Sequence, residues 1–173
     1  MIGRLQTVPV SDRVDLLATP VVSAVQGLDG VHVAEIDPEL ADTAALVDAY
    51  GVPLEVSANC VVVAGRRGGE QRWAACVVLA TTRVDVNGVV RRRLGVRKVS
   101  FAAMQEAVDA TGMEYGGITP VGVPAGWPVL VDPAVVATDL VVLGSGVRKS
   151  KLVLPGSALL QLPAAEVLDG LGR

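Results

Sequence analysis

The stretch Gly116-Gly117-Ile118-Thr119-Pro120-Val121-Gly122 places three glycines and one proline within seven residues, between a predicted helix and a predicted strand. Glycine accepts positive φ and lets other groups approach the backbone closely, whereas proline fixes φ and removes one donor. The stretch therefore predicts a rigid loop whose main-chain amides and carbonyls are not covered by side chains. An ordinary tight connection would use the same residue types, so the rest of the chain must decide between the two readings.

The segments on both sides of this loop predict a mixed arrangement of helices and strands. Residues 100–110 are predicted to form a helix that ends at Gly112, and residues 129–131 form a strand. The apolar runs 59–64 and 71–82, separated by a glycine-containing turn, predict a β-hairpin. Because the order is mixed rather than a regular βαβ series, we predict one α+β domain over residues 1–173, with a mixed, barrel-like sheet and surrounding helices.

Helix start signals occur at several other places in the chain. Ser11 can cap a first helix, and Asp37-Pro38 predicts a helix that continues to Tyr50, with Gly51 as its stop. Residues 85–94 and 155–162 are also predicted to be helical.

The composition favours a valine-rich globular core and an intracellular setting. Of the 173 residues, 51% are apolar but only 3% are aromatic, so Val, Leu and Ala must form the core. No apolar run is long enough to span a bilayer, and the N-terminus does not resemble a cleavable signal. Cys60 and Cys76 fit buried free thiols in a reducing compartment better than a disulfide. We therefore expect a cytoplasmic protein with no membrane association.

The charges are distributed unevenly along the chain. The net charge is −3, yet residues 66–98 hold nine basic residues against Glu70 and Asp85, whereas residues 14–63 hold eight acids and no Lys or Arg. A second basic group follows at Arg148, Lys149 and Lys151. The basic segments are consistent with a local anionic partner, and equally with solvated faces of a helix and a hairpin.

The residue types exclude most side-chain chemistry. His32 is the single histidine and lies in a predicted strand, with no activated-serine motif to accompany it. Two distant cysteines do not form a zinc site, and no phosphate-binding or dinucleotide fingerprint is present. We therefore expect neither metal nor cofactor. Two glycine-rich loops, 116–122 and 144–146, could instead offer backbone groups that stabilise an oxyanion, which indicates a small-ligand or acyl-transfer pocket.

Several motifs in the same order resemble the YbaK / prolyl-tRNA synthetase-associated editing-domain family. That family has a Gly-x-x-x-Pro loop within a Gly-Gly-Ile-Ser/Thr-Pro-x-Gly stretch, followed by a Pro-Val-x-Val-Asp strand, which here is Pro128-Val129-Leu130-Val131-Asp132. The segments 58–63, 82–87 and 144–152 also resemble the core strand, helix entry and late Gly/Ser-rich loop of that family.

The resemblance implies a compact α+β domain that hydrolyses mischarged aminoacyl-tRNA at its 3′ end. Because 173 residues leave no room for a synthetase core, the chain resembles the free-standing members that act in trans. The resemblance leaves open an association with an aminoacyl-tRNA synthetase or a translation factor, as well as the oligomeric state, the amino acid and the tRNA. If the two glycine loops lie far apart, an unrelated small-molecule pocket becomes the better interpretation.

The resemblance also assigns roles to individual positions. Backbone groups around Gly116 would position the scissile ester and the attacking water, and the terminal hydroxyl of the tRNA is thought to assist. The positions assigned to catalysis are Gly116, Gly117 and Pro120, and those assigned to substrate binding are Asn59, Arg83, Asp85, Ile118, Thr119, Gly144, Ser145, Gly146 and Arg148. Lys151 stands near a position that is often acidic in the family.

Asn59 departs from the family pattern, because the family usually has a lysine there that contacts the terminal nucleotide. An amide is neutral, and losing a charge-assisted hydrogen bond removes about 1.5–3 kcal/mol, or roughly ten- to a hundred-fold in affinity. Arg83 or Arg148 could supply the missing charge. Otherwise the chain is a non-catalytic relict that binds tRNA, an aminoacyl ligand or a protein, or Asn59 is simply a strand residue.

Overall fold

The computed structural model describes all residues from Met1 to Arg173. The strands are β1 (Thr7–Pro9), β2 (His32–Glu35), β3 (Ala58–Arg67), β4 (Glu70–Leu79), β5 (Val99–Phe101), β6 (Val129–Val131), β7 (Val141–Gly144), β8 (Ser150–Leu154) and β9 (Ala165–Val167). The α-helices are α1 (Thr19–Ala24), α2 (Thr43–Tyr50), α3 (Arg91–Leu94), α4 (Met104–Thr111) and α5 (Pro133–Val136). No helix combines the length and the apolar character that crossing a bilayer requires.

The strands form two sheets, which confirms the predicted α+β class. One sheet has the antiparallel order β1-β2-β8-β7, and the other has the order β5-β3-β4-β6-β9. In the second sheet β3 and β4 form the predicted hairpin, paired from Ala58↔Leu79 to Arg67↔Glu70, whereas β6 pairs in parallel with β4 and β9. The sheets do not close into one barrel. A single parallel bridge, Ser57↔Val142, connects β7 to the residue before β3.

The largest core cluster fills the space where the two sheets and α1 meet, and it consists almost entirely of Val, Leu and Ala. Val33, Val77, Val131 and Val141 in this cluster are fully buried. Burial of apolar surface is the dominant favourable contribution to folding, and branched aliphatic side chains pack well on pleated sheets. The valine-rich composition therefore builds the core that the sequence predicts.

Three predicted helices begin or end elsewhere. Residues 11–18 form only two 3₁₀ turns, because the backbone amide of Ala18 bonds the carbonyl of Ser145 instead of continuing a helix. The helix predicted from Pro38 is interrupted at Asp42, which is extended, so that Pro38–Leu40 is a 3₁₀ turn and α2 starts at Thr43.

The third correction concerns residues 100–110. Val99–Phe101 are a strand, since they pair with the free edge of β3, and α4 begins only at Met104. Likewise Gly156–Gln161 is a 3₁₀ helix. The strand β1 was not predicted.

Two buried serines fasten the second glycine segment to the core. Ser150 Oγ lies 2.6 Å from the carbonyl oxygen of Leu16 and 2.7 Å from Ser145 Oγ. Both residues are fully buried. The hydroxyl pair therefore ties the turn between β7 and β8 to the N-terminal segment.

We expect Ser150→Ala to lower the free energy of unfolding by about 1–2 kcal/mol, because it leaves the Leu16 carbonyl and Ser145 without a buried partner. A domain of this size should then melt roughly 2–8 °C lower. Thermal unfolding followed by circular dichroism measures the change, and Ser157→Ala, at an exposed position, is the control. Equal melting temperatures for the two variants would contradict the assigned role.

Candidate functional site

A cleft of about 330 Å³ opens where β3, the start of α2, the glycine-rich loop and the β7–β8 pair meet. Its volume is at the lower end of the 300–1,000 Å³ that is typical of small-molecule sites. Most of its wall consists of small or polar residues. The lining residues are Ala41, Asp42, Thr43, Ala58, Asn59, Cys60, Val61, Tyr115, Gly116, Ile118, Gly144 and Lys151.

The two glycine-rich segments are in direct contact beside this cleft. The amide of Gly146 donates a hydrogen bond of 2.7 Å to the carbonyl oxygen of Gly117. A Cβ atom on Gly144 would lie only 2.5 and 2.6 Å from the carbonyl oxygens of Gly117 and Ile118. Position 144 therefore requires glycine because the loop backbone packs directly on it. The interpretation that rested on two distant glycine loops is thereby excluded.

Gly116 and Ile118 present free backbone donors at the edge of the cleft. The amides of both residues make no hydrogen bond within the chain. Gly116 has φ +84°, a conformation that only glycine adopts without strain. A Cβ atom at this position would also collide with the guanidinium of Arg148. The loop thus holds donors at a surface where a substrate oxygen could accept them.

Asn59 faces the opposite wall of the same cleft. Its side-chain oxygen accepts a hydrogen bond of 3.2 Å from the hydroxyl of Thr43, the first residue of α2. In this arrangement the amide NH₂ of Asn59 has no partner and is available to a ligand. The structure therefore brings Asn59, Gly116 and Gly144 together, as the sequence predicted.

Arg148 supports the loop from behind. Its Nε donates to the carbonyl of Pro38 at 3.1 Å, and its Nη1 lies 3.4 Å from the carboxylate of Asp42 and 3.5 Å from the carbonyl of Tyr115. The guanidinium thus connects the segment before α2 to the residue before Gly116. Its donors are engaged by the protein, which indicates a positioning role.

Lys151 is the cationic side chain that lines the cleft. It is only 9% exposed and lies opposite Gly144 in the β7–β8 register. Burial lowers the pKa of its ammonium group below the ordinary lysine value, and the nearby charge of Arg148 lowers it further, while Asp42 acts in the opposite direction. Charge repulsion and desolvation both disfavour a protonated group in such a place.

Cys60 also lines the cleft, but its thiol is not activated. Burial raises the pKa of Cys60 well above the ordinary value, and the neighbouring thiol of Cys76 adds to this effect. Burial likewise raises the pKa of Cys76 to about 12. Because the thiolate is the nucleophile, Cys60 is protonated and unreactive near neutral pH.

We expect Cys60→Ala to retain at least about half of any hydrolytic turnover in the cleft, since a protonated thiol offers no nucleophile. Turnover of the substrate by the purified variant measures this effect. Cys76→Ala, at the fully buried neighbouring thiol, is the matched control for loss of packing. A fall of ten-fold or more in the Cys60 variant alone would show that the thiol participates.

The remaining predicted site residues lie outside the cleft wall. Gly117, Thr119, Pro120, Ser145 and Gly146 are buried in or beneath the loop. Pro120 lines a different cavity, of about 400 Å³, on the other side of the loop.

Arg83 and Asp85 are also away from the cleft. Arg83 is exposed and its backbone pairs with Arg173, while Asp85 caps the helical turn Val86–Val90 and forms an ion pair with Arg173. His32 is exposed on β2, and its ring contacts the carbonyl of Gly30.

Sequence reasoning did not identify Asp42, Thr43 and Tyr115 as cleft residues. Asp42-Thr43 is a second helix-start signal inside the segment that was predicted as one continuous helix. Asp42 occupies the N-cap position but makes no capping bond, and its carboxylate contacts Arg148 instead. That pairing depends on residues more than 100 positions apart, which the sequence alone does not reveal.

A second, basic depression runs along the far half of β3. It has a volume of about 800 Å³, and its wall includes Arg66, Arg97 and Lys98 together with Phe101 and Glu106. None of the three basic side chains takes part in an ion pair, and Phe101 is 62% exposed. We call this surface the basic groove.

One strand connects the basic groove to the cleft. Residues 59–61 of β3 line the cleft and residues 64–66 line the groove. Seven residues separate Asn59 from Arg66, which corresponds to roughly 23 Å at about 3.3 Å per residue. An extended polyanion could follow this edge from one site to the other.

The fold and the cleft define a compact α+β domain whose site is built mainly from backbone groups and small side chains. A profile of the aminoacyl-tRNA editing domain family matches residues 37–162, and the chain belongs to this family. This membership confirms the resemblance that the glycine-rich loop and the motifs around it suggested.

Solved structures with the same fold agree with this assignment. A crystal structure of a protein proposed to be a trans-editing enzyme for prolyl-tRNA synthetase superimposes with a TM-score of 0.75 at 23% identity, covering 90% of this chain and 96% of that one. A hypothetical protein, APE2540, gives a TM-score of 0.77 at 19% identity, covering 89% and 99% of the two chains. At these identities the likeness establishes the fold.

Proposed function

We propose that this protein is a trans-acting aminoacyl-tRNA deacylase, which hydrolyses the ester between an amino acid and the 3′ end of a mischarged tRNA. The observation that carries the proposal is the cleft in which the free amides of Gly116 and Ile118 lie beside Asn59 and Gly144. Membership of the editing-domain family supports the same chemistry.

The proposed reaction is addition of water to the ester carbonyl. The water oxygen forms a bond to the carbonyl carbon, and the bond from that carbon to the ribose oxygen then breaks. The ribose oxygen takes the proton that the water gives up, which releases the amino acid and the intact tRNA. The backbone amides of Gly116 and Ile118 stabilise the negative charge on the carbonyl oxygen as water adds.

The chain supplies no obvious side-chain base for this reaction. Cys60 is protonated, and Asp42 contacts Arg148. Orientation of the ester and the water by fixed backbone groups therefore accounts for most of the rate enhancement, because positioning alone can contribute several kcal/mol. The terminal hydroxyl of the tRNA, which the family resemblance implicates, fits a site of this kind.

The size of the cleft favours a small amino acid. Ala41, Ala58, Val61 and the glycines leave about 330 Å³, which must also hold part of the terminal ribose. A synthetase discriminates poorly between amino acids that differ by one methylene, at about 1–3 kcal/mol, so a second hydrolytic site that accepts small errors improves fidelity.

The basic groove is proposed to hold the phosphate backbone of the tRNA body. Arg66, Arg97 and Lys98 are exposed and free of ion pairs, and neutralisation of phosphates with release of counterions drives such binding. The exposed ring of Phe101 adds a surface on which an unpaired base could stack.

A panel of mischarged tRNAs tests the proposed function. Purified protein is incubated with tRNAs that carry alanine, cysteine, serine or proline, and loss of the ester is followed against buffer. We expect loss above buffer with at least one small amino acid. No loss with any member of the panel would contradict the proposal.

The alternative function is a non-catalytic relict that binds the aminoacyl-tRNA end, and the neutral Asn59 favours it. This alternative predicts saturable binding without hydrolysis. The substitution Asn59→Lys separates the two functions, because hydrolysis that appears only in the Asn59→Lys variant would identify the natural chain as a binder.

A further inference from the structure

Lys151 has no partner within the protein. Its ammonium group takes part in no hydrogen bond and in none of the ion pairs, although the residue is 91% buried, being 9% exposed. Every completely buried polar side-chain atom in the chain has a hydrogen-bond partner. The unpartnered Nζ of Lys151 therefore reaches the open space of the cleft that the residue lines.

Stability does not explain a lysine at this position. Transfer of an ammonium group out of water is costly unless the charge is paired, and the two neighbours, Ser150 and Leu152, are fully buried. An unbranched apolar side chain would fill the same space without this cost. Unpaired buried charges that destabilise the fold are typical of functional sites.

The position of Lys151 puts its charge beside the free amides. Lys151 is the direct partner of Gly144 across β7 and β8, and Gly144 packs against the backbone of Gly117 and Ile118. The charged groups that act on Lys151 are Arg148, which is repulsive, and Asp42, which is attractive. Arg148 is engaged by the loop and by Pro38, so Lys151 is the cation available to a ligand.

We propose that Lys151 is a catalytic residue of this site: its ammonium group stabilises, together with the Gly116 and Ile118 amides, the oxyanion that forms when water adds to the ester. This inference rests on the proposed deacylase function. No proton moves to or from Lys151 in the step, because the group acts by its charge. In a site shielded from water, a fixed charge of this kind stabilises the transition state more than the neutral ester.

Steady-state deacylation by Lys151→Met tests the proposal against Lys149→Met, the exposed lysine two residues away. We expect kcat to fall about 100-fold in Lys151→Met, as on removal of one oxyanion donor, with KM changed less than three-fold, and no change in Lys149→Met. A higher KM with an unchanged kcat would overturn the proposal, because it would place the substrate's phosphate at Lys151. Unchanged kinetics would overturn it as well.

Rescue separates charge from packing. Asn59 faces Lys151 across the same cleft, so Asn59→Lys introduced into the Lys151→Met variant should restore at least ten-fold of the lost kcat. Lys151→Met should melt no lower than the natural protein, since it removes a buried charge. A variant that melts lower and is not rescued would assign Lys151 a structural role only.

Binding of a stable analogue provides a readout without turnover. The probe is the adenosine monoester of 1-aminoethylphosphonate, which carries a tetrahedral anionic centre in place of the ester carbonyl. We expect at least ten-fold weaker binding to Lys151→Met than to the natural protein by calorimetry. Because the chain has three lysines, carbon-13 labelling of lysine resolves Lys151, and bound anion should raise the pKa of its ammonium group.

These readouts fail independently of the proposed function. If no mischarged tRNA is hydrolysed but phosphonate binding depends on Lys151, the anion site stands and the deacylase function does not. If tRNA is hydrolysed while Lys151→Met retains full kcat and full phosphonate binding, the deacylase stands and the role of Lys151 is refuted.

Discussion

Replacing Gly116 with alanine should lower kcat of deacylation by at least about 100-fold, which is the typical cost of losing one oxyanion donor. At φ +84° an L-residue is strained, by roughly 1–2 kcal/mol, and its Cβ atom would meet the guanidinium of Arg148. The peptide is expected to relax toward negative φ, which turns the amide away from the cleft. Turnover of a mischarged tRNA under single-turnover conditions measures the chemical step directly.

Gly126→Ala is the matched control for this experiment. Gly126 has nearly the same conformation, with φ +87°, but it is exposed and no atom lies within 4 Å of its hypothetical Cβ. Both variants carry the same backbone strain, so their melting temperatures should fall by similar amounts. If Gly116→Ala keeps its turnover, or if Gly126→Ala loses as much, the loop amides do not contribute to catalysis.

The parts of the fold that the sequence predicted are those set by local chemistry. The Gly68-Gly69 turn, with both residues at positive φ, determines the β3–β4 hairpin. The helix stops at Gly51 and Gly112 appear as left-handed C-caps. The valine-rich strands follow from periodicity and from β-branched side chains.

The parts that the sequence missed are set by partners distant along the chain. Residues 99–101 contain no strong strand signal and become β5 because the edge of β3 is free to pair with them. Residues 11–18 lose their helix to a backbone bond with Ser145. Local propensity is a weak prior that tertiary contacts override.

The same distinction applies to the candidate site. The loop 116–118, Asn59 and Gly144 could be recognised because each lies in a motif with its own sequence pattern. Asp42 and the unpartnered state of Lys151 could not, since both depend on how α2 and β8 meet the loop. A lysine beside Arg148 and Lys149 looks in the sequence like part of a solvated basic cluster, and only the β7–β8 register buries it.

The second large effect is expected at the basic groove. A triple variant with Arg66→Gln, Arg97→Gln and Lys98→Gln should bind tRNA about 100-fold more weakly at 0.1 M salt, if each side chain neutralises one phosphate. The logarithm of the binding constant should also depend less steeply on the logarithm of salt concentration, by about 2.7, since each contact contributes about 0.9. Fluorescence anisotropy with labelled tRNA over a range of salt concentrations measures both quantities.

A second triple variant with the same loss of charge isolates the position of these contacts. Arg4→Gln, Arg13→Gln and Lys149→Gln remove three cations that lie around the four-stranded sheet, near α2, β2 and β8. If the groove holds the tRNA body, this variant keeps most of the affinity and of the salt slope. Hydrolysis of a short aminoacyl-adenosine ester by the groove variant should be unaffected, because that substrate occupies only the cleft. Equal losses in the two triple variants would mean that net charge, rather than the edge of β3, determines tRNA binding.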